Sequence, residues 1–347
     1  MDAKIKLGLD QAMQLAIDEA YKGAAFVSPN PKVGCVVLDS NGYLLSKGHH
    51  QFFGGPHAEV EALKNLTYDQ LKGATLIVTL EPCAHEGKTP SCAKKIATLP
   101  LAQVVYGLQD PNPLVAGQGA QMIRDAGIQA LEYQGALKAE LYEVCEEFLV
   151  NFTKKRVFVA MKVAQSLDGK IALKNGQSQW ITGPESREEV QKIRSNYDAV
   201  LVGYGTLMKD NPSLNIRISG IEKINWAVIL GSQDIPKDRN VFKVRPADKV
   251  VSLNGELPEV LNQMWSLGIR SVLVEGGSQV FSGFIKSGIV DRLHLFTAPI
   301  VMGQGMGWTD DLEILNLESI ARPQRIKTQI RGIDTYQSLA FGAVHQR

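Results

Sequence analysis

The stretch "TLEPCAHEGKTPSC" at 79–92 gathers residue types that hold a metal. Cys83 and Cys92 stand with eight residues between them, and His57 and Glu59 lie upstream in "GGPHAEVEAL" at 54–63. Zinc favours sulfur and nitrogen donors in a tetrahedron, and a catalytic zinc keeps one of its four positions for water. His57, Cys83 and Cys92 supply three donors, and a metal held there would make water a usable nucleophile near neutral pH. Such a hydrolysis also needs a group that carries the water's proton to the leaving group. Glu59 suits that role. Residues two apart in a helix do not share a face, so His57 can grip a metal while Glu59 borders the cavity beside it. Two other readings fit the same residues: a structural zinc site, or two unpaired thiols. His85 could also replace one cysteine as a ligand.

These residues need a scaffold. "PKVGCVVLDSNGYLLSKGHH" at 31–50 has two apolar runs around Asn41-Gly42, a hairpin signal. "HAEVEALKNL" reads as a helix opened by Pro56. "ATLIVTLE" (74–81) is a buried strand, "SCAKKIATL" a helix, "AQVVYGLQD" a strand and "GAQMIRDAGI" a helix. Cys92 then opens a helix, whose dipole favours a thiolate. Hairpin, helix, strand, helix, strand, helix predicts a three-layer α/β domain ending near residue 150. Cys35 and Cys145 sit on apolar patterns and read as core, and "KKR" at 154–156 reads as a solvated connector.

The second half alternates again, without repeating the first. Strands are expected at 158–166, 199–206, 225–231, 248–253, 270–277 and 291–300, and helices at 184–196, 256–267 and 278–287. The Rossmann fingerprint G-x-G-x-x-G is absent: "GQGAQM" and "GYGTLM" lack the third glycine, and "MGQGMG" has the wrong spacing. What stands out is "SVLVE" followed by Gly276-Gly277-Ser278 and a helix. Two glycines there let backbone approach a diphosphate at a helix N-terminus, and they also suit a plain tight turn.

Bulk properties narrow the partners. The 347 residues favour two domains. A net charge of +1 gives no electrostatic case for nucleic acid or a membrane surface as main partner. No apolar run approaches the ~18 residues of a membrane span, and "MDAKIKLGLDQAMQLAIDEAYKG" reads as an amphipathic helix rather than an export signal. Four cysteines are too few for a disulfide scaffold, so the thiols are expected reduced and the chain cytoplasmic.

His57-Ala58-Glu59 and Pro82-Cys83 match most of the zinc nucleobase deaminase signature H-x-E…P-C-x-x-C, in which Glu is acid/base and not a ligand. The wide spacing to Cys92 departs from it. "SPNPKVGCVV", "GHHQFFGGPHAEV", "VTLEPCAHEGKTPSC" and "DPNPLVAGQG" together resemble the deaminase half of the bifunctional riboflavin-biosynthesis deaminase/reductase family. "KVAQSLDGKIA", "SQWITG", "YGTLMKDNPSL" and "LVEGGSQV" resemble its reductase half. These eight blocks run in order over nearly the whole chain, and in this family the longer Cys–Cys spacing is normal.

The resemblance implies a cytidine-deaminase-like α/β/α domain over 1–150 and a dihydrofolate-reductase-like α/β domain over 151–347. It implies one Zn2+ per chain on His57, Cys83 and Cys92, proton transfer by Glu59, and a pyrimidine phosphoribosyl pocket lined by Asn30, His50, His85 and Lys88. An Asn offers both donors and acceptors to a pyrimidine edge. It implies NADPH held by Ala164, Trp180, Thr206, Asp210, Ser232 and the run Gly277, Ser278, Gln279, Val280, Phe281, Ser282 and Gly283. Substrate in the second half would meet Ser178, Arg194, Leu214, Arg217 and Glu275, with Arg194 and Arg217 as bidentate clamps on a phosphate. Asp168 reads as a turn or helix-cap residue. A small-molecule substrate, a homo-oligomer, and no nucleic acid or membrane complete the expectation. Gly231 stands where the family pattern has an acidic residue, and Pro100 where it has a glycine turn.

Overall fold

The computed structural model of the chain describes residues 5–84, 91–112, 116–309, 312–314, 316, 318 and 322–341. The chain divides into two units, one within Met1–Lys155 and the other within Arg156–Ala343.

The first unit runs α1 (Leu9–Lys22), β1 (Gly34–Leu38), β2 (Leu44–His49), α2 (Ala58–Leu63), β3 (Thr75–Leu80), α3 (Cys92–Ile96), β4 (Gln103–Leu108), α4 (Gln118–Asp125), β5 (Gln129–Glu132) and α5 (Lys138–Lys154). Its sheet has the order β2-β1-β3-β4-β5, with β1 antiparallel to both neighbours and the other pairs parallel. The hairpin forms where Asn41-Gly42 predicts it. Gly42 takes φ +85°, and the Asp39 carboxylate accepts from the Asn41 and Tyr43 amides.

Strand alternation sorts the apolar residues into two cores. Cys35, Val37, Leu76, Val78, Val104 and Tyr106 pack under α2, α3 and α4. Val36, Leu38, Ile77 and Val105 pack under α1 and α5, with Met13, Ile17, Leu141 and Cys145. This is the expected three-layer arrangement, and Cys35 and Cys145 are core residues. Gly34 lets α1 close on β1: a Cβ there would stand 1.9 Å from the Ala16 carbonyl oxygen. Sequence patterning missed α5 and β5.

The second unit runs β6 (Phe158–Ser166), β7 (Lys170–Leu173), α6 (Pro184–Asn196), β8 (Ala199–Gly203), α7 (Tyr204–Asp210), β9 (Trp226–Leu230), α8 (Asn240–Lys243), β10 (Val250–Leu253), α9 (Leu257–Ser266), β11 (Ser271–Val274), α10 (Ser278–Lys286), β12 (Arg292–Ala298), β13 (Gly305–Gly307), β14 (Arg325–Arg331) and β15 (Asp334–Ala340). The main sheet has the order β10-β9-β8-β11-β6-β12-β15-β14. It is parallel from β10 to β12, and antiparallel where β15 joins β12 and β14. β7 and β13 make a separate two-stranded sheet.

Several expectations need correction. The strand expected over 199–206 stops at Gly203, and α7 starts on the next residue. The strand expected over 270–277 stops at Val274, which frees Glu275, Gly276 and Gly277 for a turn. β14 was invisible because most of its side chains face solvent, so no alternating apolar pattern was needed. Arg156 of "KKR" is not a solvated connector residue. Its guanidinium grips the buried Asp291 carboxylate bidentately at 2.6 and 2.8 Å. Asp168 caps no helix; it accepts from the Met302 and Gly303 amides and from the Ser166 hydroxyl, pinning the turn after β6 to the segment before β13.

Candidate active sites

In the first unit the two helix starts near the C-terminal end of β3 converge. His57 is the N-cap of α2, Glu59 lies in its first turn, and Cys92 is the first residue of α3. Cys83 follows β3 after Glu81 and Pro82. The His57 Nδ1 atom stands 3.6 Å from Cys83 Sγ and 3.3 Å from Cys92 Sγ. For bond lengths of about 2.3 Å to sulfur and 2.05 Å to nitrogen, a tetrahedral zinc sets these edges at about 3.6 Å. The donor set fits zinc in both chemistry and spacing.

The loop between the cysteines is closed at its neck. The Cys92 amide donates to Cys83 Sγ at 3.3 Å, and the Ser91 hydroxyl and Ala93 amide donate to the Cys83 carbonyl at 2.8 and 3.1 Å. Ser91 also caps α3 by accepting from the Lys94 amide. The neck therefore sets how Cys83 and Cys92 stand to each other. His85 and Lys88 belong to that loop and lie outside the described residues.

The two thiols interact directly. The hydrogen bond from Cys92 lowers Cys83 to about 4, while that same bond and burial push Cys92 up. One thiolate is thus preformed for a metal. Glu59 is 4% exposed, and burial raises its carboxyl, which suits a group that must both take and give a proton near neutrality.

His57, Glu59 and Cys83 line a cavity of about 450 Å³ together with Asn30, His50 and Phe53. His50 is buried, and burial holds its imidazole below the usual histidine range. Its Nδ1 lies 2.9 Å from the Pro56 carbonyl, so Nδ1 carries the proton and Nε2 accepts from Asn30 Nδ2 at 3.1 Å. That fixes the Asn30 amide, with its other groups left for a ligand. His49, by contrast, turns away to Glu19.

Sequence reasoning missed Glu81. Its carboxylate lines the cavity and accepts from the Asp110, Gly117 and Ala120 amides at 3.2, 2.9 and 3.0 Å. It thereby ties the Pro82–Cys83 turn to the start of α4. Phe148 and Phe152 also line the cavity from α5, an element that the sequence reading did not foresee.

The second unit holds a cavity of about 620 Å³ at the C-terminal ends of β6, β8 and β11. Gly203 and Gly277 are the N-caps of α7 and α10, neither with a side-chain cap, on neighbouring strands. A Cβ on Gly277 would stand 3.6 Å from Thr206 Oγ1, so the two strand–helix turns face each other. Two helix N-termini opening on one cavity suit an anionic group such as a diphosphate.

Of the expected contacts, Ala164, Trp180, Thr206, Asp210, Gly277, Ser278, Gln279, Val280 and Phe281 line this cavity, as do Ser178, Arg194, Arg217 and Glu275. Ser232, Ser282, Gly283 and Leu214 do not. Leu214 and Ser282 are buried, and Phe281 packs mostly into the core. Arg194 also departs from expectation. Its Nε and Nη2 are taken by Glu275, so the edge that would clamp a phosphate is occupied. Trp180, by contrast, is 69% exposed at the cavity, with the Arg187 guanidinium 4.8 Å from its ring. Lys162 was missed altogether. It shares a strand face with Ala164, lines the cavity and stands 3.2 Å from Glu275.

Comparison with known proteins finds a match for each unit. Residues 157–336 match the RibD C-terminal domain family, and residues 8–108 match the cytidine and deoxycytidylate deaminase zinc-binding region. The riboflavin biosynthesis protein RibD of Aquifex aeolicus is 36% identical, covering 93% of this chain and 95% of that protein. RibD of Escherichia coli is 32% identical over 84% of this chain and 88% of its own length. A solved Thermotoga maritima diaminohydroxyphosphoribosylaminopyrimidine deaminase/5-amino-6-(5-phosphoribosylamino)uracil reductase is 36% identical, with a TM-score of 0.85 over 95% of this chain and 98% of that one. Two family domains in order, with relatives matching along almost their whole length, place this chain in the RibD family of bifunctional riboflavin-biosynthesis enzymes.

Proposed function

We infer that the first unit deaminates 2,5-diamino-6-(5-phosphoribosylamino)pyrimidin-4(3H)-one and the second reduces the product's ribosyl group, giving 5-amino-6-(5-phosphoribitylamino)uracil. The observation that carries this reading is the His57–Cys83–Cys92 triangle at tetrahedral zinc spacing, with buried Glu59 lining the same cavity.

Zn2+ held by those three side chains would supply a Lewis acid that makes water acidic near neutral pH. Glu59 takes that water's proton and returns it to the amine, which leaves as ammonia. Asn30, oriented by neutral His50, reads the pyrimidine edge. Lys88 and His85, in the loop beyond the Cys83–Cys92 neck, are assigned to the phosphoribosyl end. Lys88→Ala is expected to raise KM with zinc content unchanged.

NADPH in the second cavity would supply the hydrogen and electron pair that reduce ribosyl C1. The facing turns at Gly203 and Gly277 would hold its diphosphate, with Thr206, Asp210 and Trp180 in the lining of the same cavity. Arg217 meets the substrate phosphate. Glu275 keeps Arg194 and Lys162 fixed beside the sugar, and Lys162 is the group there that can deliver a proton. We assign the two activities to residues 1–150 and 151–347, close to the division of the chain between Lys155 and Arg156.

The chain is further read as a cytoplasmic homo-oligomer acting on a small molecule and not on nucleic acid. Among the described residues no helix is long and apolar enough to cross a membrane, the cysteines are unpaired, and Ile326 and Ile330 lie exposed on edge strand β14. Sedimentation equilibrium tests the assembly.

The deciding experiment supplies the diaminopyrimidine phosphate to purified, zinc-replete protein with and without NADPH. Ammonia should appear in both cases, and NADPH absorbance should fall once deaminated product forms. No ammonia overturns the first half. Unchanged absorbance with authentic deaminated substrate overturns the second.

A further inference from the structure

We propose that Arg245 is a positioning residue of the second cavity: it holds the Ser213–Arg217 turn in the shape that presents Arg217 to the anionic end of the substrate. The inference rests on reading that cavity as the site of a phosphorylated substrate.

Arg245 is 6% exposed. Its Nη2 donates to the Ser213 carbonyl at 2.7 Å, while Nε and Nη1 are buried without partners. A buried guanidinium with idle donors weakens a fold, so its presence calls for an offsetting role. The turn it supports is strained: Leu214 takes φ +53°, a region that side chains other than glycine rarely adopt.

Three consecutive carbonyls of this turn are held by three different side chains. Arg245 takes that of Ser213, Asn225 Nδ2 that of Leu214 at 3.3 Å, and Arg194 Nη1 that of Asn215 at 3.2 Å. Such over-determination keeps a strained backbone in place. The product is the placement of Arg217. Its amide donates to Gln191 Oε1 at 3.0 Å, and its Nη1 is shared by Ser213 Oγ and Asn215 Oδ1 at 3.3 and 3.2 Å. Arg217 lines a cavity in which the Arg194 edge is already occupied by Glu275.

Charge points the same way. Lys162, Arg194 and Arg217 lie around the Glu275 carboxylate, and Arg245 stands within reach of the Arg194 charge. Burial, and then Arg194, push Arg245 down to about 10. A doubly charged phosphate offsets that surplus better than a singly charged group.

The test compares wild type with Arg245→Met and Arg245→Lys, using deaminated substrate in phosphorylated and dephosphorylated forms, and inorganic phosphate as competitor. In Arg245→Met the KM for the phosphorylated form should rise about tenfold, the scale of one misplaced hydrogen bond, with kcat within about threefold. Inhibition by inorganic phosphate should weaken by the same factor, the dephosphorylated form should be unaffected, and the melting temperature should hold or rise. Arg245→Lys, which keeps the charge, should recover part of the loss. If Arg245→Met does not fold, the lysine variant shows the same split of KM against kcat in smaller measure. Unchanged KM and phosphate inhibition in a folded variant would overturn the proposal, as would equal losses on both substrate forms. A wild type that reduces neither form overturns instead the underlying reading of the cavity.

Discussion

The Arg194 guanidinium and the Glu275 carboxylate meet edge to edge: Nε donates to Oε1 at 2.6 Å and Nη2 to Oε2 at 2.9 Å. Burial alone would raise the Glu275 carboxyl, but Arg194 and then Lys162 hold it down at about 2. Glu275→Gln keeps the shape and removes the charge, which leaves two cations facing each other. We expect a loss of 3–5 kcal/mol of stability, roughly the cost of breaking a buried pair, and a fall in reductase kcat/KM. Thermal melts and NADPH oxidation at saturating cofactor check the two effects.

Acid should weaken the second unit in two stages. His294 is buried between the Tyr197 and Tyr336 hydroxyls, at 2.9 and 2.8 Å, and burial lowers it to about 3. Unfolded, it takes up a proton near 6.5. Between those values the unfolded chain binds more protons than the folded one, so stability is complete above pH 6.5 and falls as pH drops toward 3. Glu275 acts in the same direction between 4.5 and about 2. The expected slope from His294 is about 1.4 kcal/mol per pH unit. Denaturant melts of His294→Gln from pH 7 to 5 should show most of that slope gone.

Removing zinc should separate the activities. Chelation, or Cys92→Ala, should abolish ammonia release while reduction of supplied deaminated substrate continues, because the two cavities are lined from different units. Metal content and both rates, measured on one preparation, decide it. Parallel loss of both activities would contradict the prediction.

Glu59→Gln should keep the metal and lose the chemistry. The Glu59 carboxylate is not among the donor atoms that cluster for a metal. Ammonia release should therefore fall by about 10²–10⁴ with bound zinc unchanged.

Gly119→Ala tests the support beneath the ligand loop. A Cβ there would stand 1.9 Å from the Pro82 carbonyl oxygen, one residue before Cys83. The contact is backbone, so α4 must move. We expect a loss of about 1–3 kcal/mol together with weaker zinc retention, read by melting and by competition with a chromophoric chelator.

Much of this molecule is written locally. Asn41-Gly42 sets a hairpin because Gly42 adopts positive φ at no steric cost, and alternating residues in β1, β3 and β4 dictate two buried faces. The metal ligands were legible because few side chains bind zinc and His57-Ala58-Glu59 with Pro82-Cys83 is a specific pattern. The resemblance supplied most of the second site, since its glycines at 276 and 277 alone suit any tight turn.

Tertiary structure decided what sequence spacing could not. Cys83 and Cys92 act as neighbours because hydrogen bonds from Cys92, Ser91 and Ala93 close the loop's neck, whatever its length. Glu81, Lys162 and Arg245 carry no local signature. Their importance comes from partners 29–39, 113 and 32 positions away, respectively. Arg194 likewise read as free to clamp a phosphate until the fold brought Glu275, 81 positions on, against it. Short-range sterics and periodicity are properties of the chain itself, whereas the pairing of charges is settled only when the sheet brings distant strands together.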